Sequence, residues 1–96
     1  LAGQRQGSSA VKIGELKAYG GITPLGTTRH IIVNNVTTSA RNAIVIGGSL
    51  TDSILSNIIH NNAEGEPVAI RSGPEYIRNV TIHNVIRTSQ EPAHQA

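Results

Sequence analysis

An asparagine that returns with similar neighbours constrains the fold of this chain more than any other feature. It stands at Asn35, Asn57 and Asn84, each time after a short run containing apolar residues and before Val or Ile. Counted along the chain, the intervals are 57 − 35 = 22 and 84 − 57 = 27. A period of roughly 20 to 30 residues rich in β-branched side chains is typical of a solenoid, in which each repeat is one coil. The repeat therefore predicts coils that bury their apolar sides against the coils above and below them.

A second apolar pattern runs out of phase with the first one. Taking Ile13, Ile46 and Ile70 as equivalent gives intervals of 46 − 13 = 33 and 70 − 46 = 24. The longer first interval predicts an inserted loop, because it contains Gly20 and Pro24. Two patterns in each repeat predict at least two strands per coil, as a parallel β-helix of about three to four coils requires.

The apolar runs divide the chain into three parts. Residues 1–8 are expected to form a loop or loose end, residues 9–89 the coils of the β-helix, and residues 90–96 a tail. Within the coils we expect strands at 10–14, 30–37, 43–47, 53–60, 67–72 and 76–88, with an excursion at 15–28. No helix pattern of useful length is present, so the chain is predicted to be all-β.

Alternation within each strand predicts which side chains face the interior. One row holds Val33, Leu55 and Ile82, a second holds Val36, Ile58 and Val85, and a third holds Ile31, Ser53 and Val80. Ser53 interrupts the third row and must find a hydrogen-bond partner there. The repeated asparagines are expected at turns between strands, because asparagine tolerates left-handed backbone and stacked amides bond one another.

Composition agrees with stacked aliphatic rows and argues against several other classes of protein. Of the 96 residues 38% are hydrophobic, Phe, Trp and Met are absent, and the aromatic residues are Tyr19 and Tyr76. The lack of cysteine excludes disulfides and thiolate metal sites. The formal charge of +2 comes from scattered residues, and no apolar run approaches the roughly 18 residues of a membrane span. We therefore expect neither nucleic acid nor a membrane as partner.

The histidines do not predict a metal site. His30, His60, His83 and His94 lack the close spacing of metal ligands, and no acids are arranged to complete a set. His60 and His83 are expected to face outward or to lie at turns. We expect no cofactor and no metal.

Two segments carry a resemblance to a known family. Residues 76–85, YIRNVTIHNV, look like the "+NITIxNV" strand of its later coils, and residues 9–15, SAVKIGE, are similar to its "AIKIGTE" stretch. Over residues 9–89 the chain resembles the right-handed parallel β-helices of the pectin lyase-like superfamily. The likeness is closest to the C-terminal coils of glycoside hydrolase family 28, the polygalacturonases and their relatives. It implies a secreted or periplasmic protein that acts on a polysaccharide or oligosaccharide.

The resemblance also implies inverting hydrolysis, in which one carboxylic acid protonates the leaving oxygen and a carboxylate activates water. The family's aspartate motifs and Gly-His-Gly segment are missing, and Asp52 is the only aspartate. Glu64 and Glu66 are expected to be solvated in a turn. The catalytic acids are therefore expected in preceding coils, either removed or present as another chain. The start at Leu1 favours a processed or cut product. We do not expect residues 1–96 to fold stably alone, because open coil ends need capping.

The candidate substrate-binding residues are Lys12 and Arg71. In the family, an Arg-Ile-Lys segment directs two cations at the substrate, and here Lys12 takes the arginine's place and Gly14 the lysine's. Lys12 is a charged donor for a sugar carboxylate or hydroxyl. Arg71 lies outward by alternation, whereas Val45 and Ala69 on the same face offer nothing polar. The alternative for both cations is a solvated surface role.

Two other interpretations stay open. A non-catalytic β-helix, such as the shaft or glycan-binding segment of a phage tailspike or adhesin, predicts threefold symmetry and no partner of different sequence. A polysaccharide lyase or epimerase on the same fold needs a basic catalytic residue or calcium-binding acids that are not evident in the sequence. The polygalacturonase-like hydrolase predicts instead a partner chain rich in aspartate.

Overall fold

The computed structural model describes residues 8–15 and 26–88, and this part of the chain is all-β. The strands are β1 (Ser9–Ile13), β2 (Thr27–Arg29), β3 (Ile32–Thr38), β4 (Asn42–Ile46), β5 (Ser49–His60), β6 (Val68–Ile70) and β7 (Ile77–Arg87). One short 3-10 turn, Pro74–Tyr76, precedes β7. The expected tail 90–96, nearly all of the expected loose end 1–8 and most of the excursion, with Gly20 and Pro24, lie outside the described residues, as do Tyr19 and His94.

The strands alternate between two wholly parallel sheets. The first sheet has the order β1-β4-β6. In the second sheet β5 is central, with β7 along one edge and β2 followed by β3 along the other. Each return of the chain thus adds one layer to each sheet, and no two consecutive strands of the described residues pair. Parallel neighbours require such crossover connections.

The registers confirm two of the three predicted rows of side chains, and in the third row they pair Ser53 with Val80. Val33 pairs with Leu55 and Leu55 with Ile82, while Val36, Ile58 and Val85 form the next row in the same way. In the first sheet Ile13, Ile46 and Ile70 are in register, as the second apolar pattern predicts. The buried core joins both sheets and consists of Ile13, Ala43, Ile44, Ile46, Leu50, Leu55 and Ile58. Its members on the central strands β4 and β5 are fully buried, whereas Ile82 on the edge strand β7 is 37% exposed.

Six non-glycine residues with left-handed backbone bend the strands of the second sheet. Asn35, Asn57 and Asn84 have φ of 67°, 56° and 60°, and His30, Asp52 and Asn79 have φ of 59°, 55° and 54°. The second set repeats at 52 − 30 = 22 and 79 − 52 = 27, the same intervals as the first set. The asparagines were expected between strands. Each instead lies inside one, because the backbone pairing continues through the bend.

Each bend shifts the alternation of inward and outward side chains by one residue. Leu50 and Ser53 are both buried although three positions separate them, and so are Leu55 and Ile58. Without a bend, residues three apart on a strand face opposite sides. One strand therefore turns twice around the core, at Asp52 and at Asn57, while its ladder of hydrogen bonds stays parallel.

Side-chain amides connect the layers at these bends. Asn84 Nδ2 donates to Asn57 Oδ1, and Asn57 Nδ2 donates to Asn34 Oδ1, both at 2.5 Å. The stack of amides is as expected, except that its first acceptor is Asn34 and not Asn35. In the second set of bends, Asn79 Nδ2 donates to Asp52 Oδ1 at 2.6 Å.

Substitution of Asn57 separates the two roles of this residue. Asn57→Gly removes the amide bonds but permits left-handed backbone, whereas Asn57→Ala removes the bonds and also strains the backbone. We expect the alanine variant to be less stable than the glycine variant by about 1 kcal/mol. Urea unfolding of both variants measures the difference. Equal stabilities would mean that the bend at Asn57 does not depend on the backbone preference of its residue.

Two buried polar side chains show how the interior accommodates polar atoms. Ser53 Oγ accepts from the backbone N–H of Ile31 at 3.0 Å and donates to Thr51 O at 2.9 Å, so the partner predicted for it exists. His60 is fully buried, and the expectation that it faces outward or lies at a turn is wrong. The shift at Asn57 turns His60 inward, where its Nε2 lies 3.1 Å from Ala40 O and 2.9 Å from Arg41 O.

Candidate functional site

The first candidate surface is the face of the first sheet that carries Lys12. Lys12 is exposed on β1 and in register with Val45 and then Ala69. Arg71 is exposed just beyond β6, and its backbone N–H donates to Ile46 O at 2.9 Å. Two strand spacings and two residues place the Cα atoms of Lys12 and Arg71 roughly 12 Å apart. The structure thus puts both cations on one sheet, but no contact between described residues joins them.

Two details of this surface differ from the family pattern or from expectation. Ala69 was expected to face outward, yet it is fully buried. At Gly14 φ is +74°, and an added Cβ would lie 2.8 Å from the backbone N of Gly48. Any side chain at Gly14 would therefore crowd the next layer, which gives a steric reason why no second cation stands there.

Two acids of the described residues, Asp52 and Glu64, are engaged by neighbouring side chains. Asp52 accepts from Asn79 Nδ2 at 2.6 Å and from Thr51 Oγ1 at 3.2 Å. The hydrogen bond from Asn79 lowers the pKa of Asp52 most, with smaller contributions from Thr51, His30 and Arg29. A carboxylate held ionised in this way is a poor proton donor. Glu64 is bound by Arg41 at 3.1 Å.

Metal-binding clusters and membrane-spanning helices are two further features that would indicate a function. Among residues 8–15 and 26–88, no group of three or more His, Asp or Glu side chains has the geometry to hold a metal ion. Within the same residues, no helix has both the length and the apolar character needed to cross a bilayer.

A second candidate surface, missed by the sequence analysis, is a groove on the outward face of the second sheet. Its volume is about 350 Å³. Arginine, tyrosine, glutamate and hydroxyl side chains line it, namely Thr27, Arg29, Ser49, Thr51, Glu75, Tyr76 and Arg78. We call it the arginine groove.

The arginine groove is built on one row of the second sheet. Arg29 on β2 pairs with Thr51 on β5, and Thr51 pairs with Arg78 on β7. The row thus places one exposed arginine on each side of a half-buried threonine. Its intervals, 51 − 29 = 22 and 78 − 51 = 27, equal those of the asparagine repeat and are the signal that predicts this alignment. Side-chain alternation does not predict this alignment, because Thr27–Arg29 is short and polar and lies within or next to the predicted excursion at 15–28.

Comparison with known proteins adds no family to this description, because no family model, curated protein or solved structure matches the chain. The described residues thus form an all-β fold with two parallel sheets, each of which carries exposed cations on an outward face.

Proposed function

We propose that residues 9–89 form successive coils of a right-handed parallel β-helix that belongs to a polygalacturonase-like glycoside hydrolase. The observation that carries this proposal is the alternation of the chain between two parallel sheets, with aliphatic rows in register at the two intervals of the asparagine repeat. Stacked coils with inward aliphatic rows leave their outward faces free for a long polymeric ligand.

The outward faces supply cations for an acidic polysaccharide. Lys12 and Arg71 stand exposed on the first sheet, and Arg29 and Arg78 stand exposed on the second. Charged donors of this kind bind carboxylates more strongly than neutral donors do. The chain holds a single aspartate, so the catalytic acids are proposed to lie in preceding coils outside these 96 residues. A secreted or periplasmic location is proposed with this function.

Native and denatured masses of the protein test the proposal, together with hydrolysis of polygalacturonate. We expect a native particle heavier than 10.1 kDa that separates into this chain and a larger chain containing the missing aspartates. We also expect release of reducing ends from polygalacturonate but not from an uncharged glucan. A particle composed only of copies of this chain, without hydrolysis, would contradict the proposal and favour a non-catalytic shaft or glycan-binding segment.

A further inference from the structure

We propose that the arginine groove binds a sugar acid, with its two guanidinium groups on the carboxylate side of the ligand and Tyr76 beneath the sugar ring. The groove lies on the second sheet and is separate from Lys12 and Arg71. The inference rests on the proposed function only in taking a glycan as the ligand, since the recognition chemistry comes from the groove itself.

Both guanidinium groups are available to a ligand. Neither Arg29 nor Arg78 makes a direct side-chain hydrogen bond or ion pair with any residue that the structure describes, although Arg29 is attracted by the Asp52 carboxylate at longer range. By contrast, Arg41 binds Glu64, and Arg87 donates to backbone carbonyls of the 64–65 turn. Two strand spacings separate the backbones of Arg29 and Arg78 by about 10 Å, and each planar fork presents paired N–H donors to a carboxylate.

Thr51 presents an acceptor between the two arginines. Its Oγ1 donates to Asp52 Oδ2 at 3.2 Å, and Asp52 is itself held by Asn79. Because the hydroxyl hydrogen is engaged, the oxygen lone pairs of Thr51 remain for the hydroxyl of a ligand. Ser49 and Thr27, paired in register in the same groove, offer further hydroxyl groups. A sugar has several hydroxyl groups that need such partners.

Tyr76 and Glu75 narrow the class of ligand. Both belong to the short turn before β7, where the N–H of Tyr76 donates to Gly73 O at 3.2 Å. An aromatic face suits the apolar C–H face of a pyranose ring. Two arginines and one glutamate line the groove, and the carboxylate of Asp52 beside Thr51 brings the local charge to 2 − 2 = 0. Two guanidinium groups in a groove without net positive charge fit a sugar with one carboxylate better than a row of phosphates, which is bound by several cations.

Binding of trigalacturonate to the intact protein, measured by calorimetry at low salt, tests the inference. Arg29→Gln and Arg78→Gln should each weaken binding about tenfold or more, and the double variant should abolish detectable binding. Tyr76→Leu should weaken binding with little change in its salt dependence. Arg41→Gln is the matched control, since its exposed ion pair contributes little to stability, and it should retain affinity within about twofold. Circular dichroism and urea unfolding confirm that each variant is folded.

The possible outcomes separate this inference from the proposed function. Unchanged affinity in the Arg29/Arg78 double variant, or equal affinity for an uncharged trisaccharide, would overturn the inference. So would no binding to the wild-type protein, or a preference for a single-stranded oligonucleotide. If binding is lost only in a Lys12→Gln/Arg71→Gln variant, the inference fails while the proposed function stands. If the groove variants lose binding but the protein contains no aspartate-rich chain and hydrolyses nothing, the groove assignment stands and the hydrolase proposal fails.

Discussion

Gly65→Ala is expected to lower the free energy of unfolding by more than about 3 kcal/mol, or to prevent folding altogether. Gly65 has φ of +73°, and an added Cβ would overlap the carbonyl oxygen of Arg41 and lie 2.6 Å from its carbonyl carbon. Both obstacles are backbone atoms, so no side-chain rotation relieves the overlap. The backbone at Gly65 or at Arg41 must move.

Movement there disturbs contacts that join three parts of the chain. Arg41 O lies 2.9 Å from Nε2 of the buried His60. On the other side, Arg87 Nη2 donates to the carbonyl oxygens of Glu64 and Gly65. A shift of the turn therefore weakens the contact between Arg41 O and the buried imidazole of His60. It also detaches the end of β7, because it breaks the hydrogen bonds from Arg87. His60 Nε2 keeps Ala40 O at 3.1 Å as a second partner, so weakening this contact adds about 1 kcal/mol to the loss.

Gly73→Ala is the control for this substitution. Gly73 also has positive φ, +91°, but its added Cβ would meet the flexible carboxylate of Glu75, 3.1 Å away. We expect this variant to lose only the energy of the backbone strain, about 1 to 3 kcal/mol. Thermal and urea unfolding compare the two variants. Similar losses at the two positions would show that the contact of Gly65 with Arg41 does not control stability.

Leu55→Ala is expected to lower the free energy of unfolding by about 2 to 5 kcal/mol, because it opens a cavity in the middle layer. Leu55 is fully buried on β5, with Val33 and Ile82 in register on either side of it. The strands above and below are fixed by backbone hydrogen bonds, so they cannot collapse into the space that the side chain leaves.

Ile82→Ala provides the comparison within the same row. Ile82 keeps 37% of its surface exposed on the edge strand, so its removal should cost only about 1 to 2 kcal/mol. Urea unfolding of both variants measures the difference between a central and an edge position. Equal losses would contradict the assignment of β5 as the central strand of the second sheet.

The inward rows of side chains were predicted from the sequence, whereas several bends in the strands were not. The rows of Leu55 and Ile58 were predicted, because inward positions in every layer need an aliphatic side chain and the residue type repeats. The bends at His30 and Asp52 were not predicted, because three different residue types occupy equivalent places there. As a result the prediction that this strand begins at 53 is four residues late, because β5 begins at Ser49.

The difference between inward and outward positions also explains which residues of the candidate surfaces were predicted correctly. Lys12 and Arg71 were chosen on resemblance and alternation, and both are exposed as expected. His60 was assigned to the wrong side because a bend at Asn57 reverses the alternation after it. The arginine groove was missed because its row changes from arginine to threonine and back, and solvent imposes no constant residue type on an outward row.

The sequence by itself determined that this chain is all-β, where most strands lie and which aliphatic residues share interior rows. These properties depend on side-chain alternation and on a repeat interval, both of which are local or periodic. The tertiary structure decided which outward side chains meet, because Arg29, Thr51 and Arg78 become neighbours only when parallel pairing sets the register. It also decided the burial of His60 and the need for glycine at Gly65, because both depend on how closely one layer approaches the next.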